Sequence, residues 1–286
     1  MINYYGINKE KNFFQIWYFK QQCKNFIISF VPGIVIEKDG EKKVFINIYY
    51  NQKNIYIEYP FSDFSFRDGK IKIAKNEFSE NQIKIDISSE KMKIKGKIVF
   101  SRVISLKKKH ISSLKIIKSI KFTHEIISIR NYLNGILSIN NNEISFCDGI
   151  GYIESIFGKK ISKEGIWFQC SDKYNYSIMV SIEPINKIGM KFLSCVAFIY
   201  CNGREYKFST NRGCRIITYN KESLIIKQGK YYLKITFDER DNINDVQNKR
   251  DEILYGKASV LFKIRKKIIF QYSSEKCSYK YNIKNN

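Results

Sequence analysis

Proline, alanine and histidine are scarce in this chain of 286 residues, at three, three and two. So little proline excludes collagen-like segments and proline-rich linkers. The two histidines, His110 and His124, lack the spacing of metal ligands, so no metal is expected. The seven cysteines are odd in number and contain no Cys-x-x-Cys, which encodes neither a disulfide framework nor a zinc ribbon. No Gly-x-Gly-x-x-Gly, Walker-type loop or Gly-x-Ser-x-Gly elbow occurs, so nucleotide cradles and the usual serine-hydrolase turn are excluded. The longest apolar stretch, Phe26 to Ile36, is broken by Pro32 and Gly33. It is shorter than the ~20 residues of a membrane-spanning helix. The opening MINYYGINKEKN has no apolar signal-peptide core, and free cysteines within apolar runs suit a reducing compartment. The expected location is cytoplasmic, with peripheral membrane contact.

What is abundant is isoleucine, 50 residues, and lysine, 41. The formal charge is +23 and the pI near 9.6. Isoleucine and lysine are the residues an AT-rich coding sequence favours, so part of this charge reflects composition rather than a partner. Non-specific affinity for anionic membranes or nucleic acid is still expected. Hydrophobic residues make up 44% and aromatics 15%, enough for a packed core. Period-2 alternation dominates: Val44, Ile46, Ile48; Ile55, Ile57, Tyr59; Ile83, Ile85, Ile87; Ile94, Ile98, Phe100; Leu233, Ile235, Phe237; Val260, Phe262, Ile264. This is the pattern of half-buried antiparallel strands. Asp39-Gly40, Asp68-Gly69, Asn202-Gly203 and Gln228-Gly229 punctuate it as turns. About twenty strand-like segments predict an all-β protein of two sheet units with few short helices. A lysine-rich break at Leu106–Ile120 sets the expected boundary near residue 105, giving units of residues 1–105 and 106–286. The charged run Asp238–Leu254 reads as a long loop. No internal repeat is visible.

The informative segment is GIGYIESIFGKKISKEGIWFQCS, Gly149 to Ser171. On a strand Tyr152, Glu154 and Ile156 share one face. A carboxylate among Tyr152, Ile153, Ile156 and Phe157 would be desolvated and held protonated, as a general acid requires. Trp167 and Gln169 share a face of the next strand and offer an aromatic wall and a neutral hydrogen-bonding group.

Gly151, Tyr152, Glu154, Gly158, Trp167 and Gln169 resemble the signature of the tocopherol cyclase-like family, Gly-Tyr-x-Glu-Lys-Asp-Trp-Gly followed by Trp-x-Trp-x-Gln. The stretch Phe13–Ile34 is similar to that family's aromatic opening strand and Phe-x-Pro-Gly. Tyr59-Pro60 with Asp63-Phe64, Glu77-Phe78-Ser79, Gly96 to Phe100 and Tyr206 to Thr210 follow in consistent order. His124 aligns with a histidine of the family. The chain departs from the pattern at Ser155-Ile156-Phe157, which removes an aspartate, at Lys160-Ile161-Ser162, and around His124.

The resemblance implies two lipocalin-like antiparallel β-barrel or sandwich units side by side and a hydrophobic pocket. It implies acid-catalysed, intramolecular cyclisation of a prenylated quinol without a cofactor. Glu154 would be the acid and His124 a second proton carrier. Tyr152, Phe157, Trp167 and Gln169 would contact the ligand, a prenylated aromatic or isoprenoid lipid. Loss of the aspartate keeps open a non-catalytic binder on the same scaffold, and the charge keeps open a nucleic-acid-binding role. No specific protein partner is expected.

Overall fold

The computed structural model describes the chain except residues 25, 52, 108–109, 112–121, 160–163, 188–189, 239–252 and 283–286. Strands account for 73% of the structure and helix for 2%. In chain order the first thirteen are β1 (Phe13–Cys23), β2 (Phe26–Ile36), β3 (Lys42–Tyr50), β4 (Lys53–Tyr59), β5 (Phe64–Arg67), β6 (Lys70–Ile73), β7 (Asn76–Phe78), β8 (Gln82–Ser88), β9 (Lys93–Ile104), β10 (His110–Ile111), β11 (Phe122–Ile139), β12 (Asn142–Ser145) and β13 (Gly149–Gly158). The remaining nine are β14 (Gly165–Ser171), β15 (Tyr176–Lys187), β16 (Met190–Cys201), β17 (Arg204–Ser209), β18 (Arg215–Tyr219), β19 (Ser223–Gln228), β20 (Tyr231–Phe237), β21 (Leu254–Ile264) and β22 (Lys267–Asn282).

Strands β1 to β13 form one compact unit and β14 to β22 a second. The boundary expected near residue 105 therefore falls inside the first unit. Its sheet is completed by β11, which pairs with β9, and by β13, which pairs with β1. The lysine run after β9 interrupts the apolar alternation without separating two cores. Most of the Leu106–Ile120 linker and most of the Asp238–Leu254 loop lie outside the described residues.

The two units repeat one connectivity. In the first, β1 to β4 form an antiparallel meander, the 3-10 turn Phe61–Asp63 follows, and a second meander returns until β13 pairs with β1. In the second, β14 to β17 form a meander, the 3-10 turn Thr210–Arg212 follows, and the chain returns until β22 pairs with β14. Each time the two edge strands of the sheet, β4 and β5 or β17 and β18, are consecutive in sequence. A few residues bridge the edges, so each sheet must curl into a half-barrel.

Alternation fills the two interiors. In the first, Trp17 and Phe19, Ile28 and Phe30, Val44, Ile46 and Ile48, and Ile83, Ile85 and Ile87 meet in one cluster. In the second, Phe168, Val180, Ala197, Leu233, Val260 and Phe262 do the same. Fully burying such side chains contributes about 1.5–3 kcal/mol each. The expected hairpin chemistry appears at Asp68-Gly69, with φ of 50° and 71°, and at Asn202-Gly203, with φ of 46° and 79°. Strands β9 and β11 cross closely at Gly96 and Gly135. A Cβ on Gly96 would lie 2.2 Å from the Ile136 carbonyl oxygen, and one on Gly135 would lie 2.1 Å from that of Lys97.

Candidate functional site

The middle strands of the first sheet run in the order β2, β1, β13, β11. One face of them holds Trp17, Phe19, Ile127 and Ile153 in the core. Alternation sends Tyr18 and Lys20 of β1, Tyr152 and Glu154 of β13, and His124 of β11 to the opposite face. That face is shut from water as well: Tyr18 is 2% exposed, Lys20 1%, Tyr152 1%, His124 6% and Glu154 0%. A buried polar face of this kind stands only where its groups pair with one another.

The pairing converges on Glu154. Strand register puts Tyr18 and Ile126 directly opposite it on its two sides, and His124 opposite Ile156. The His124 ring nitrogen Nδ1 contacts Glu154 Oε1. The Tyr152 hydroxyl donates to the other carboxylate oxygen, Oε2, at 2.7 Å. Tyr18 meets Tyr152 edge-on with ring centroids 6.2 Å apart, and Ser29 Oγ donates to the Tyr18 hydroxyl at 2.8 Å. Burial, then the charge of Glu154 and its hydrogen bond, hold the Tyr152 hydroxyl well above its ordinary pKa of 10.0, so it stays a donor. A carboxylate that receives a tyrosine proton on one oxygen and faces an imidazole on the other can share one proton with that imidazole. The contact lies away from water, where the two groups are close enough for a proton to pass between them.

Ile156 stands where the family pattern has an aspartate, so no second carboxylate accompanies Glu154 on its strand. Instead, the neighbouring strand supplies the partner. Phe157 is one residue out of phase with Glu154 and Ile156. It stacks on Tyr5 with centroids 4.1 Å apart. Beside it, Gln15 Nε2 donates to Ser155 Oγ at 3.0 Å, and the Tyr5 hydroxyl donates to buried Glu125 at 3.1 Å.

Trp167 and Gln169 stand on β14, in the second unit. They share the strand face opposite Phe168 and Cys170, which belong to that unit's core. Gln169 is fully buried and its Nε2 donates to Ser171 Oγ at 3.0 Å. The sequence reading did not single out Tyr18, Lys20 or Ser29. The signal for the first two was present in WYFKQ, where Tyr18 and Lys20 alternate with Trp17 and Phe19.

An AttH protein from Nitrosomonas europaea aligns with 94% of this chain and 93% of its own, at 9% identity and a TM-score of 0.57. The fold is lipocalin-like, of the AttH type. Kievitone hydratase from Nectria haematococca covers 97% of this chain and 93% of its own, at 11% identity and a TM-score of 0.49. No family model matches the chain, and no curated protein matches it. Among the described residues no cluster of three or more potential ligands could hold a metal ion. No helix among them is long and apolar enough to cross a membrane.

Proposed function

We propose that this is a tocopherol cyclase-like protein in which Glu154 and His124 transfer the proton that closes a ring on a prenylated aromatic substrate. One observation carries the reading. Two residues thirty positions apart, Glu154 from its strand face and His124 from the family resemblance, touch on the buried face, and the Tyr152 hydroxyl fixes the remaining carboxylate oxygen. His124 retains 6% exposure where Glu154 has none, so the proton leaves the pair through the imidazole side. The step adds that proton to the less substituted alkene carbon of the prenyl chain. The phenolic oxygen then bonds to the tertiary cationic carbon, and its own proton returns to the pair. Atoms and electrons balance as an isomerisation, with no co-reactant. A dry site suits it, because water would capture the cation. Cysteines set within apolar runs fit a reducing, cytoplasmic setting.

The test is chromanol formation from a prenylated quinol, followed by chromatography. Glu154→Gln and His124→Ala each lower the rate at least a hundredfold, and Tyr152→Phe lowers it about tenfold, within the range of a positioned acid. Full activity in Glu154→Gln overturns the assignment.

A second reading is a non-catalytic binder of an isoprenoid lipid on the same scaffold. Ile156 favours it, because an apolar side chain shares the Glu154 face where the family pattern has a second carboxylate. A lipid retained through purification and never converted, with Ile156→Asp equally inactive, would select this reading.

A further inference from the structure

One end of the second sheet gathers positive charge in a way the proton-transfer reading does not use. An open cleft of about 430 Å³ is lined there by Lys227, Lys230, Tyr231, Tyr232, Lys263 and Arg265. It sits at two neighbouring hairpin tips, Gly229-Lys230 and Arg265-Lys266, tied by a hydrogen bond from the Arg265 amide to the Lys230 carbonyl. Arg265 takes φ of +57°, a conformation that glycine or asparagine adopts with less strain.

From these tips a row crosses five strands. Arg215 lies opposite Lys227, Lys227 opposite Tyr232, Tyr232 opposite Lys263, and Lys263 opposite Ile268. The row is on the sheet face away from the core, since Ile226, Leu233 and Phe262 beside it point inward. Like charges directly opposite across a strand pair repel, and none of these cations is ion-paired among the described residues. Large apolar side chains flank the row without cover: Ile268 is 50% exposed and Ile217 57%.

We propose that this end of the second sheet docks on an anionic lipid bilayer, with the cations on headgroup phosphates and Ile268 in the interfacial layer. Charge complementarity picks an anionic surface, and exposed isoleucines beside the cations pick a lipid one. Nucleic acid fits less well, because single-strand binding uses open aromatic faces. Here Lys263 Nζ lies over the Tyr232 ring at 5.9 Å and Lys230 Nζ over Tyr231 at 5.6 Å.

The full chain is sedimented with vesicles of phosphatidylcholine alone or with phosphatidylglycerol at 30 mol%. Binding is expected to the mixed vesicles only. The triple variant Lys227→Glu, Lys263→Glu, Arg265→Glu lowers it at least tenfold. Reversal of three exposed lysines of the first sheet, Lys70, Lys84 and Lys97, changes the net charge identically and leaves binding within twofold. Ile268→Asp removes the fraction that survives 0.5 M salt, where exposed charge pairs are screened. Equal loss in both triple variants would overturn the proposal in favour of a bulk charge effect. So would release of bound protein by millimolar inorganic pyrophosphate at constant ionic strength, which assigns the cleft to a soluble phosphate ligand. Tighter binding to duplex DNA than to the vesicles would also overturn it.

Discussion

The two units share a strand connectivity and bury different chemistry. The first encloses Lys20, His124, Glu125, Arg130 and Glu154, all at most 6% exposed. Among its described residues the second encloses five thiols, Cys170, Cys195, Cys201, Cys214 and Cys277, and one peripheral charge, Asp172 at 8%. A thiol can fill an apolar core almost as a small hydrocarbon would, whereas each buried charge requires a partner built for it. The contrast separates what the scaffold demands from what only one copy carries: among the described residues the second half-barrel closes around thiols and apolar side chains with a single buried carboxylate at its margin, so closure does not require the charged network of the first unit.

The largest test of that contrast is at Glu154. Glu154→Ala leaves the Tyr152 hydroxyl and His124 without their acceptor, and should cost the first unit about 3–5 kcal/mol in denaturant unfolding. Replacing Glu154 and His124 together by leucine should cost less than the single change. A single-variant cost under about 1 kcal/mol would mean the pair is not structurally coupled.

Alkaline pH sharpens the comparison next. Tyr152 keeps its proton in the folded state past its ordinary value of 10.0, while the unfolded chain releases it there. Its contribution is complete below pH 10 and is lost as pH rises from there through the raised value, at up to about 1.4 kcal/mol per pH unit. Burial, with the charges of Cys170 and Cys277, raises Tyr272 of the second unit in the same direction. Melts between pH 9 and 11 should therefore show alkaline weakening in both units, and Tyr152→Phe should flatten it in the first alone.

Thiol labelling reads the second interior. The hydrogen bond shared with Cys214 and burial push the Cys195 thiol well above its ordinary pKa, while Cys147 is exposed. A maleimide at pH 7 should modify Cys147 at least about tenfold faster than Cys195, a difference that vanishes in denaturant. Similar rates in the native protein would show that the second core opens readily. The smallest effect is expected on the open face of the first sheet. Lys97 lies opposite Lys84 on one side and Ile136 on the other, so Lys97→Glu exchanges repulsion for attraction and should raise stability by a few tenths of a kcal/mol, within about 0.5.

Much of the scaffold was readable because strand alternation is a local property. Val44, Ile46 and Ile48, or Ile83, Ile85 and Ile87, declare their face two residues at a time, and Asp68-Gly69 declares its hairpin. Glu154 and Tyr152 stood out on their strand face, and His124 was reached through family resemblance. Their meeting depends on the pairing of β11 with β13, and that register includes an irregularity between Ile126 and Ser128 that no local pattern encodes. The place of Phe157 was within reach, since a residue three positions from Glu154 on a strand must face the other way. The boundary near 105 failed for a different reason: a lysine cluster is a solvated stretch, and solvation does not report which sheet the next strand joins. The repeated connectivity is invisible in the amino acids because it is carried by which strand pairs with which, and the two interiors use different side chains to reach it.

The pairing of β1 with β13, and of β14 with β22, bears on how the chain is made. In each unit the first strand lies between its immediate successor and the last strand, so one hydrogen-bonding edge of β1 stays bare until β13 has been synthesised. Such distant closure is slow compared with the formation of neighbouring hairpins. Until it happens the growing chain presents an unpaired strand rich in Phe, Trp and Tyr, the kind of edge on which nascent chains associate with one another. Each half-barrel is thus a ring whose clasp is made last. Production of the chain should be limited by what shields β1 and β14 while they wait, more than by the stability of the finished sheets.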